Sequence, residues 1–493
     1  MLKPLVTDLT SNMVFWIFIT CVIFIIISVL WKKRWLLYHA WKIPGPFSVP
    51  LLGSAFLLSA TKNNFFDLIY RTLDSCKPVT KFWAGSEVYI MTTRPTDVEK
   101  ILTNCLSKSP FYDNLGGVIK DSLLILKVNL WKEHRKMINP SFNSTILNSF
   151  HDVFVKYSRE MVEFLSDAEG SEQTDLVSVI WEKTLDSALA TLTTVKPHLI
   201  KELRRLIPVT VKIEDTFIQR FHKFWLLIDF FWQKSSLNKE FESACRTAHA
   251  VINNIISEER KSEFSGRSQR FLPHLIKLNQ TKHIADQEIL EEMSLMLVAS
   301  SETTALTVNI VLTILGIYPD IQEKVFQELV SVLPTIKKNP TLEDISRLDY
   351  LKRVIKETMR LVPIIPFILR YTDEDIKCDP YIFPAGSNLF VPIILLHRDP
   401  EVWSEPEKFD PDRFLPDKIT KRHRCSYIPF SFGSRNCIGL RYGMMSVKIM
   451  LATILRNFKV QTLDLKSWKE IEWDYLIMLK PKISRLLFEK RRL

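Results

Sequence analysis

The stretch Phe430-Ser-Phe-Gly433-Ser-Arg435-Asn-Cys437-Ile-Gly439 decides how this sequence is interpreted. A thiolate can ligate a haem iron when backbone amides approach the sulfur closely and a cation balances a haem propionate. Gly433 and Gly439 are expected to allow that approach, because they carry no side chain. Arg435 supplies a cation, and Phe430 is expected to shield the sulfur. The competing interpretation is a buried, inert cysteine in a glycine turn.

This arrangement, F-x-x-G-x-R-x-C-x-G, resembles the cysteine-loop signature of the cytochrome P-450 family, and all five defining positions match. The resemblance runs from residue 43 or so to the C-terminus. It is strongest to the animal branch that contains fatty-acid ω-hydroxylases, through the runs FWLLIDFFWQKSS and ILEEMSLML. It implies the cytochrome P-450 fold, mainly α with a small β-rich lobe. It also implies haem b (iron protoporphyrin IX) as cofactor, with Cys437 as the metal ligand.

A second motif lies inside a long predicted helix that runs from Asp286 to about Gly316. Ala299-Ser300-Ser301-Glu302-Thr303-Thr304 is similar to the oxygen-activation motif of the family, although Ser300 stands where the family usually has glycine. Splitting dioxygen requires two protons, which a hydroxyl beside a carboxylate can relay. Thr303 and Glu302 are therefore the predicted catalytic residues. The alternative is that the threonine hydroxyl simply returns to the carbonyl four residues back.

A third set of motifs indicates structural and cofactor-binding roles. Glu357 and Arg360 lie one helical turn apart, and the resemblance adds Arg413 to them as a cluster that supports the fold. The resemblance also assigns four donors to the two haem propionates, namely Trp131, Arg135, Arg370 and Arg435.

The surroundings of the predicted haem are apolar on one face and basic on the other. Leu295, Val298, Ala299 and Ile365 are expected to line a pocket for a lipophilic substrate. Many ω-hydroxylases carry a glutamate at the position of Ala299 that esterifies the haem, so here the haem should be non-covalent apart from the bond between Cys437 and iron. On the thiolate side, a basic surface either docks an acidic flavoprotein reductase or is merely solvated: Lys132, Lys136, Arg441 and Lys448.

Composition supports a globular, mainly helical chain. Of 493 residues, 46% are hydrophobic and 25% charged, with a net charge of +11. No basic and aromatic stripe resembles a nucleic-acid module, so nucleic acid is not an expected partner. The seven cysteines are widely spaced without a C-x-x-C pair, which argues against a disulfide scaffold or a structural zinc site.

The N-terminus predicts a membrane anchor. Residues 13–31 (MVFWIFITCVIFIIISVLW) are almost wholly apolar and long enough to span hydrocarbon, and Lys32, Lys33 and Arg34 follow directly. The predicted organisation is a lumenal segment at 1–12, a transmembrane signal anchor at 13–31, a basic, proline-rich hinge at 32–50 and a cytosolic haem-binding catalytic domain at 51–493. The expected location is the endoplasmic reticulum membrane, with a single pass. A cleaved signal peptide is the alternative, but the apolar core is long and the charges follow it.

These observations together predict a monooxygenase that inserts one oxygen atom from O2 into a lipophilic substrate, such as a fatty acid, a hormone-like lipid or a xenobiotic. Electrons would come from NADPH through a flavoprotein reductase. Two alternatives are a haem-thiolate isomerase or dehydratase that rearranges a peroxide, and a non-catalytic haem carrier or sensor. Retention of Glu302 and Thr303 favours the monooxygenase.

Overall fold

The described part of the chain is mostly helical. A computed structural model describes residues 87–195, 200–262, 269–335, 338–475, 478–482 and 485–491, together with 30–48, 53–54, 75, 78–84 and short pieces between residues 16 and 28. The prediction of a mainly α protein with a small β-rich lobe is confirmed. The predicted lumenal segment 1–12, much of the predicted anchor 13–31 and the end of the hinge at 49–50 lie outside the described residues.

The helices, in chain order, are α1 (Arg34–Trp41), α2 (Pro95–Asn104), α3 (Gly116–Ile119), α4 (Val128–Ile138), α5 (Ser144–Ser149), α6 (His151–Asp167), α7 (Leu176–Leu192), α8 (Ile200–Leu203), α9 (Leu206–His222), α10 (Asp229–Lys234), α11 (Ser236–Lys261), α12 (Phe271–Gln280), α13 (Asp286–Ile317), α14 (Pro319–Val332), α15 (Leu342–Arg347), α16 (Asp349–Leu361), α17 (Ile393–Leu396), α18 (Pro416–Ile419) and α19 (Leu440–Asn457). Short 3-10 helices lie at Pro110–Leu115, Asn139–Phe142, Phe224–Leu227, Pro411–Phe414, Arg424–Ser426 and Trp468–Glu470. The strands are β1 (Val79–Ala84), β2 (Glu87–Thr92), β3 (Ile368–Tyr371), β4 (Ile376–Cys378), β5 (Tyr381–Phe383), β6 (Asn388–Val391), β7 (Phe458–Thr462), β8 (Trp473–Tyr475), β9 (Leu479–Pro481) and β10 (Leu486–Lys490).

Helix α13 runs through the centre of the core. Its 32 residues extend for about 48 Å, and they pack against α7, α19, α16 and β7. The Glu288 carboxylate accepts the Ala285 backbone N–H at 2.6 Å and so caps the first turn. The helix ends at Ile317, two residues before Pro319, whose ring cannot continue it. The predicted helix from Asp286 to about Gly316 is therefore confirmed.

Helix α13 is also the one helix among the described residues that is long and apolar enough to cross a membrane. However, 72% of its most apolar stretch is buried inside the protein, which is typical of a core helix.

The β-rich lobe contains a four-stranded sheet in the order β1-β2-β6-β3. The pairs β1–β2 and β3–β6 are antiparallel, and β2–β6 is parallel. The stretch from Lys81 to Thr92, in which apolar and polar residues alternate, contributes to the two hairpin strands β1 and β2. After Leu361 the chain forms β3 to β6, and Ile393–Leu396, which follows Pro392, forms the helical turn α17 instead of extending β6.

Two hydrophobic cores meet at the cysteine loop, residues 430–439. The larger core surrounds α13, and the smaller one joins α1 and α2 to the four-stranded sheet. Phe430 packs against the larger core and Phe432 against the smaller. The loop is therefore held from both sides.

Candidate active site

An internal cavity of about 590 Å³ lies between α13 and the cysteine loop. Its walls are mainly apolar, and its size falls within the usual range for small-molecule sites. Leu295, Val298, Ala299 and Ile365 all line it, which confirms the prediction that they form a pocket. The first three are presented by the middle of α13.

Cys437 opens onto this cavity. Its side chain is accessible from the cavity, while protein atoms enclose it on the other sides. The Cys437 backbone N–H donates to the Phe430 carbonyl at 2.9 Å, which closes the loop. Burial raises the pKa of the Cys437 thiol, whereas the Gly439 backbone N–H and the Arg135 charge lower it. The last two stabilise a thiolate at this position.

Gly433 makes a close contact with α2 that the sequence did not predict. Its φ is +76°, a conformation that favours glycine. A Cβ atom at this position would overlap the Leu102 carbonyl oxygen at the end of α2. The contact with α2 therefore requires a glycine at position 433, and the predicted role of Gly433 beside the sulfur remains a prediction. At Gly439 a Cβ would lie 3.8 Å from Cys437 Sγ, an ordinary contact, so the Gly439 contribution is its amide.

Cys425 is the other cysteine near the loop, and it is unsuited to ligate a metal in the cavity. Its side chain is fully buried, and burial raises its pKa to about 12. It lies near Glu99 and His423 and does not line the cavity. Cys105, Cys245 and Cys378 are buried as well.

Three cations converge on one side of the cavity. Arg370 and Arg435 are 1% and 7% exposed, and both line the cavity with Lys108 and Trp131. Burial and, to a smaller extent, the charge of Arg370 together lower the pKa of Arg435 to about 10. Burial also lowers the pKa of Lys108 well below its usual value, with contributions from both arginines. Such a cluster is unfavourable unless an anion joins it.

The hydrogen bonding of these arginines shows where an anion belongs. Among the described residues, Arg435 Nε and Nη1 and Arg370 Nε are buried without a partner. Arg435 otherwise bonds to the Leu126 carbonyl and lies 4.6 Å from the centre of the Trp131 ring. Buried guanidinium groups with free N–H donors are suited to bind carboxylates in pairs. The site therefore fits the two propionates of haem b, with Cys437 available to the iron.

Arg135 is placed differently from the other predicted donors. Its two terminal nitrogens donate to the Asn436 carbonyl at 3.0 Å and to the Asn436 side-chain oxygen at 3.1 Å. It therefore ties α4 to the cysteine loop next to Cys437. Its contact with a propionate remains a prediction, as does that of Trp131.

Of the two predicted catalytic residues in the oxygen motif, one lines the cavity and the other does not. Thr303 lines the cavity, and its hydroxyl donates to the Ala299 carbonyl at 2.7 Å, the bond expected of a mid-helix threonine. Ser300, Ser301 and Thr304 make the same bond four residues back. Glu302 is 1% exposed and does not line the cavity. Its relay to Thr303 remains a prediction.

Glu302 is held by a partner that the sequence did not reveal. Lys480, on β9, donates to the Glu302 carboxylate and also to Glu214 Oε2 on α9 at 2.6 Å. Burial raises the pKa of Glu302 to about 8, and the charge of Glu214 contributes to the rise. Unlike Glu302, Glu214 lines the cavity.

Glu357, Arg360 and Arg413 form a buried cluster behind the site. Arg360 Nε and Nη2 donate to the two Glu357 carboxylate oxygens at 2.7 and 2.9 Å. Arg413 Nε lies 3.5 Å from Glu357 Oε1. Arg360 also donates to the His397, Pro406 and Lys408 carbonyls. The cluster ties α16 to two loops and does not line the cavity, in agreement with its predicted structural role.

The predicted basic surface is only partly exposed. Lys132, Lys136 and Arg441 are exposed. Lys448 is 7% exposed, and burial lowers its pKa to about 8, so its inclusion in a docking surface is wrong. Lys448 lies on the buried side of α19, and the local sequence did not show which side of this helix is buried.

Sequence reasoning missed Lys108, Glu214 and Lys480. None of them belongs to a motif, and each is a charged residue in an otherwise ordinary stretch. The one available signal is weak: Glu214 and Lys480 are charges next to apolar residues. The fold brings Lys108 and Glu214 to the cavity and Lys480 to the Glu302 carboxylate.

Comparisons with known proteins agree with this site. The sequence model of the family described as Cytochrome P-450 matches residues 43–488. A probable cytochrome P-450, 313a3, from Drosophila melanogaster is 30% identical and aligns over 88% of this chain and 90% of its own length. Cytochrome P-450 4c3 from the same organism is 29% identical (89% and 88%), and cytochrome P-450 4V2 from Mus musculus is 30% identical (90% and 88%). The resemblance to the family and to the branch is thereby confirmed.

Proposed function

The chain belongs to the cytochrome P-450 family of monooxygenases, and from this premise we propose that Cys437 is the iron ligand and that the protein oxygenates a lipophilic substrate with electrons from NADPH. The observation that carries the proposal is the position of Cys437. It lies at one end of a large apolar cavity, next to buried arginines that have free N–H donors.

Several residues of the chain would together hold haem b, the cofactor of the family. Cys437 would bond to the iron, and Arg370, Arg435, Trp131 and Lys108 would hold the propionates. The bound haem supplies the activation of dioxygen and the transfer of one oxygen atom to the substrate. Arg135 keeps the cysteine loop in place through Asn436. Ala299 has no carboxyl group, so no ester with the haem is expected.

On the opposite side of the cavity, Thr303 would deliver protons. Its hydroxyl is already in the cavity, and rotation away from the Ala299 carbonyl would free it to donate. The neighbouring wall is formed by Leu295, Val298 and Ala299. This wall would exclude water and hold an aliphatic substrate chain.

The ligand proposal can be tested spectroscopically. The reduced protein with carbon monoxide should show the red-shifted Soret band of a thiolate-ligated haem. Cys437→Ala should lose this band, while the matched variant Cys425→Ala should keep it. Retention of the band in Cys437→Ala would refute the assignment.

The reaction class is tested by turnover. Dodecanoic acid and its methyl ester serve as probe substrates, with NADPH and a microsomal flavoprotein reductase. Hydroxylated product should form in air and be absent under argon. Product under argon from a lipid hydroperoxide, without NADPH, would instead identify the isomerase or dehydratase. Tight binding without turnover of any lipid would identify a carrier.

We further propose that the chain is anchored in the endoplasmic reticulum membrane with its catalytic part in the cytosol. The segment 13–31 supports this by composition. At its end and next to it, aromatic side chains before, on and after α1 are exposed, which is typical of residues at a membrane interface: Trp31, Trp35, Tyr38, Trp41 and Phe47. Leu36 and Ala40, on the other side of α1, are buried in the smaller core. The full chain should resist extraction by alkaline carbonate, and a chain beginning at residue 32 should be released.

We propose that the reductase docks on the exposed cations near the cysteine loop, Lys132, Lys136 and Arg441. The double variant Lys132→Glu/Lys136→Glu should raise the reductase concentration needed for half-maximal NADPH oxidation, most at low salt. Lys459→Glu, an exposed lysine on β7, serves as the control. Equal effects of both changes would show that net charge matters and this surface does not.

A further inference from the structure

A buried cluster of three charged side chains connects the oxygen motif to the cavity wall. Lys480 on β9 donates to Glu302 on α13 and to Glu214 on α9. Glu302 and Glu214 are 1% and 3% exposed, and the Lys480 side chain is 13% exposed. The Lys480 ammonium also lies 5.2 Å from the centre of the Trp181 ring on α7. Four elements that are distant in sequence thus meet at one ammonium group.

The cluster is poorly explained as a stabilising device. Removing ionisable side chains from water is costly, and apolar side chains of the same size would often stabilise a core as well or better. The Glu302 and Glu214 carboxyl groups also share a side-chain hydrogen bond, in which a protonated Glu302 is the donor. Carboxyl groups whose proton affinity is perturbed by burial and by a specific charged partner are concentrated at functional sites.

The positions of the two carboxylates suggest what the cluster does. Glu214 lines the cavity, on the helix that also presents Thr210, Ile213 and Phe217 to it. Glu302 precedes Thr303 but faces away from the cavity. Lys480 is the link, since the same Nζ atom bonds both carboxylates. A substrate that contacts α9 can therefore change how Lys480 is shared between them.

We propose that Lys480 and Glu214 are positioning residues that hold the Glu302 carboxyl group and set its affinity for a proton, so that occupation of the cavity beside α9 changes proton supply at the oxygen motif. The inference rests on the proposed monooxygenase function. It assigns roles to two residues that lie outside every motif of the sequence.

The charges around Glu302 support this arrangement and fix the sign of each test. Burial and the Glu214 charge together raise the pKa of Glu302 to about 8, although the Lys480 charge opposes the rise. Burial likewise raises the pKa of Glu214, and Lys480 lowers it. Trp181 faces the cluster from α7 without a charge. Glu302 is thus able to hold a proton near neutral pH and to release it when its surroundings change.

The first test needs no turnover. Infrared spectra of the ferric protein are recorded as a function of pH, and the stretch of the protonated carboxyl group that disappears in Glu302→Gln is assigned to Glu302. Its apparent pKa should rise by roughly 1 to 3 units in Lys480→Met, because the neutralising cation is lost. It should fall by about one unit in Glu214→Gln, because the neighbouring negative charge is lost. Dodecanoic acid should shift it in the wild type and not in Glu214→Gln.

The matched controls are Lys482→Met and Glu472→Gln, which remove an exposed ion pair, 3.2 Å between Nζ and Oε2, on the same hairpin. They should leave the titration unchanged. Lys480→Arg, which retains the cation, should restore most of the wild-type titration even if Lys480→Met folds poorly. Shifts of the same sign in Lys480→Met and Glu214→Gln, or no shift in either, would overturn the proposal.

The second test connects the cluster to oxygen chemistry. In Lys480→Met and Glu214→Gln, the fraction of NADPH electrons recovered as hydrogen peroxide should rise several-fold, and the pH dependence of product formation should move in opposite directions. If the titration shifts but the partition between product and peroxide does not, the cluster does not serve oxygen chemistry and the proposal is overturned. Failure of the wild type to turn over in air refutes the proposed function instead, and this result is independent of the infrared titration.

Discussion

The buried pair Glu357–Arg360 offers the sharpest test of what holds the core together, through the change Glu357→Gln. Both side chains have no exposed surface. The Glu357 carboxylate accepts two hydrogen bonds from Arg360 and one, at 2.9 Å, from the Asp410 backbone N–H. An amide in its place has the same shape, but one of its two ends is a donor that faces the Arg360 donors. The arginine charge is then left buried without a counterion.

The magnitude follows from the loss of one partner of a buried ion pair, which costs about 3 to 5 kcal/mol. The entropy of unfolding is roughly 2.1 cal/mol/K per residue, or about 1 kcal/mol/K for a chain of 493 residues. A loss of about 4 kcal/mol therefore lowers Tm by about 4 °C. The effect on Tm is moderate because the chain is long, so chemical denaturation is the more sensitive measure of the free energy.

The assay is urea denaturation of the haem-loaded protein, followed by circular dichroism and by the Soret band, with Tm measured at one scan rate. The matched control is Glu258→Gln, which breaks the exposed pair with Lys261 at the same helical spacing, 2.8 Å between Nζ and Oε1. It should change the unfolding free energy by less than about 1 kcal/mol. If the two variants lose the same stability, the Glu357–Arg360 pair does not have the structural role assigned to it.

Three further outcomes are expected. Gly433→Ala should lower the free energy of unfolding by at least about 2 kcal/mol, because Gly433 has a positive φ and a Cβ there would overlap α2. The control Gly443→Ala, in a helix with open space around the added Cβ, should raise the free energy of unfolding by up to about 1 kcal/mol. Burial and a neighbouring arginine lower the pKa of His397 to about 3. The contribution of the neutral imidazole to stability is therefore complete above the unfolded-state pKa near 6.5. It is lost, at a limiting slope of about 1.4 kcal/mol per pH unit, as the pH falls towards 3. The stability difference between wild type and His397→Gln should therefore shrink by about 1 kcal/mol between pH 6.5 and pH 5.5, where the unfolded histidine is only partly protonated, as measured in urea; an unchanged difference would contradict a neutral buried imidazole. Tyr442→Phe should cost about 1 kcal/mol in the same assay, because the phenol loses its 2.9 Å hydrogen bond to the Thr191 hydroxyl.

Several features could be predicted because they are local. The extent of α13 follows from an apolar run with acids at its start and a proline after its end. The division into a helical part and a β-rich part follows from the periodicity of the apolar residues. The exposure of Lys448 was misjudged because a lysine in a helix is usually solvated, and the packing of α19 overrides that tendency.

The candidate site was only partly predictable. The pocket residues on α13 were identified because a helix that crosses a core must present its middle to whatever the core holds. Gly433 was singled out from the loop motif, but its close contact with Leu102, far upstream in the chain, was not predictable from that motif. The spacing of a motif identifies a residue, but it does not show which distant residues contact that residue in the fold.

Cys437, the long central helix and the family could be identified from local sequence, because each depends on residues close together in the chain. The contact of Lys480 with Glu302 across 178 positions and the meeting of Lys108 with Arg370 and Arg435 could be found only in the folded protein. The cost of burying a charge depends on which distant groups the fold brings beside it, and no local pattern records those groups.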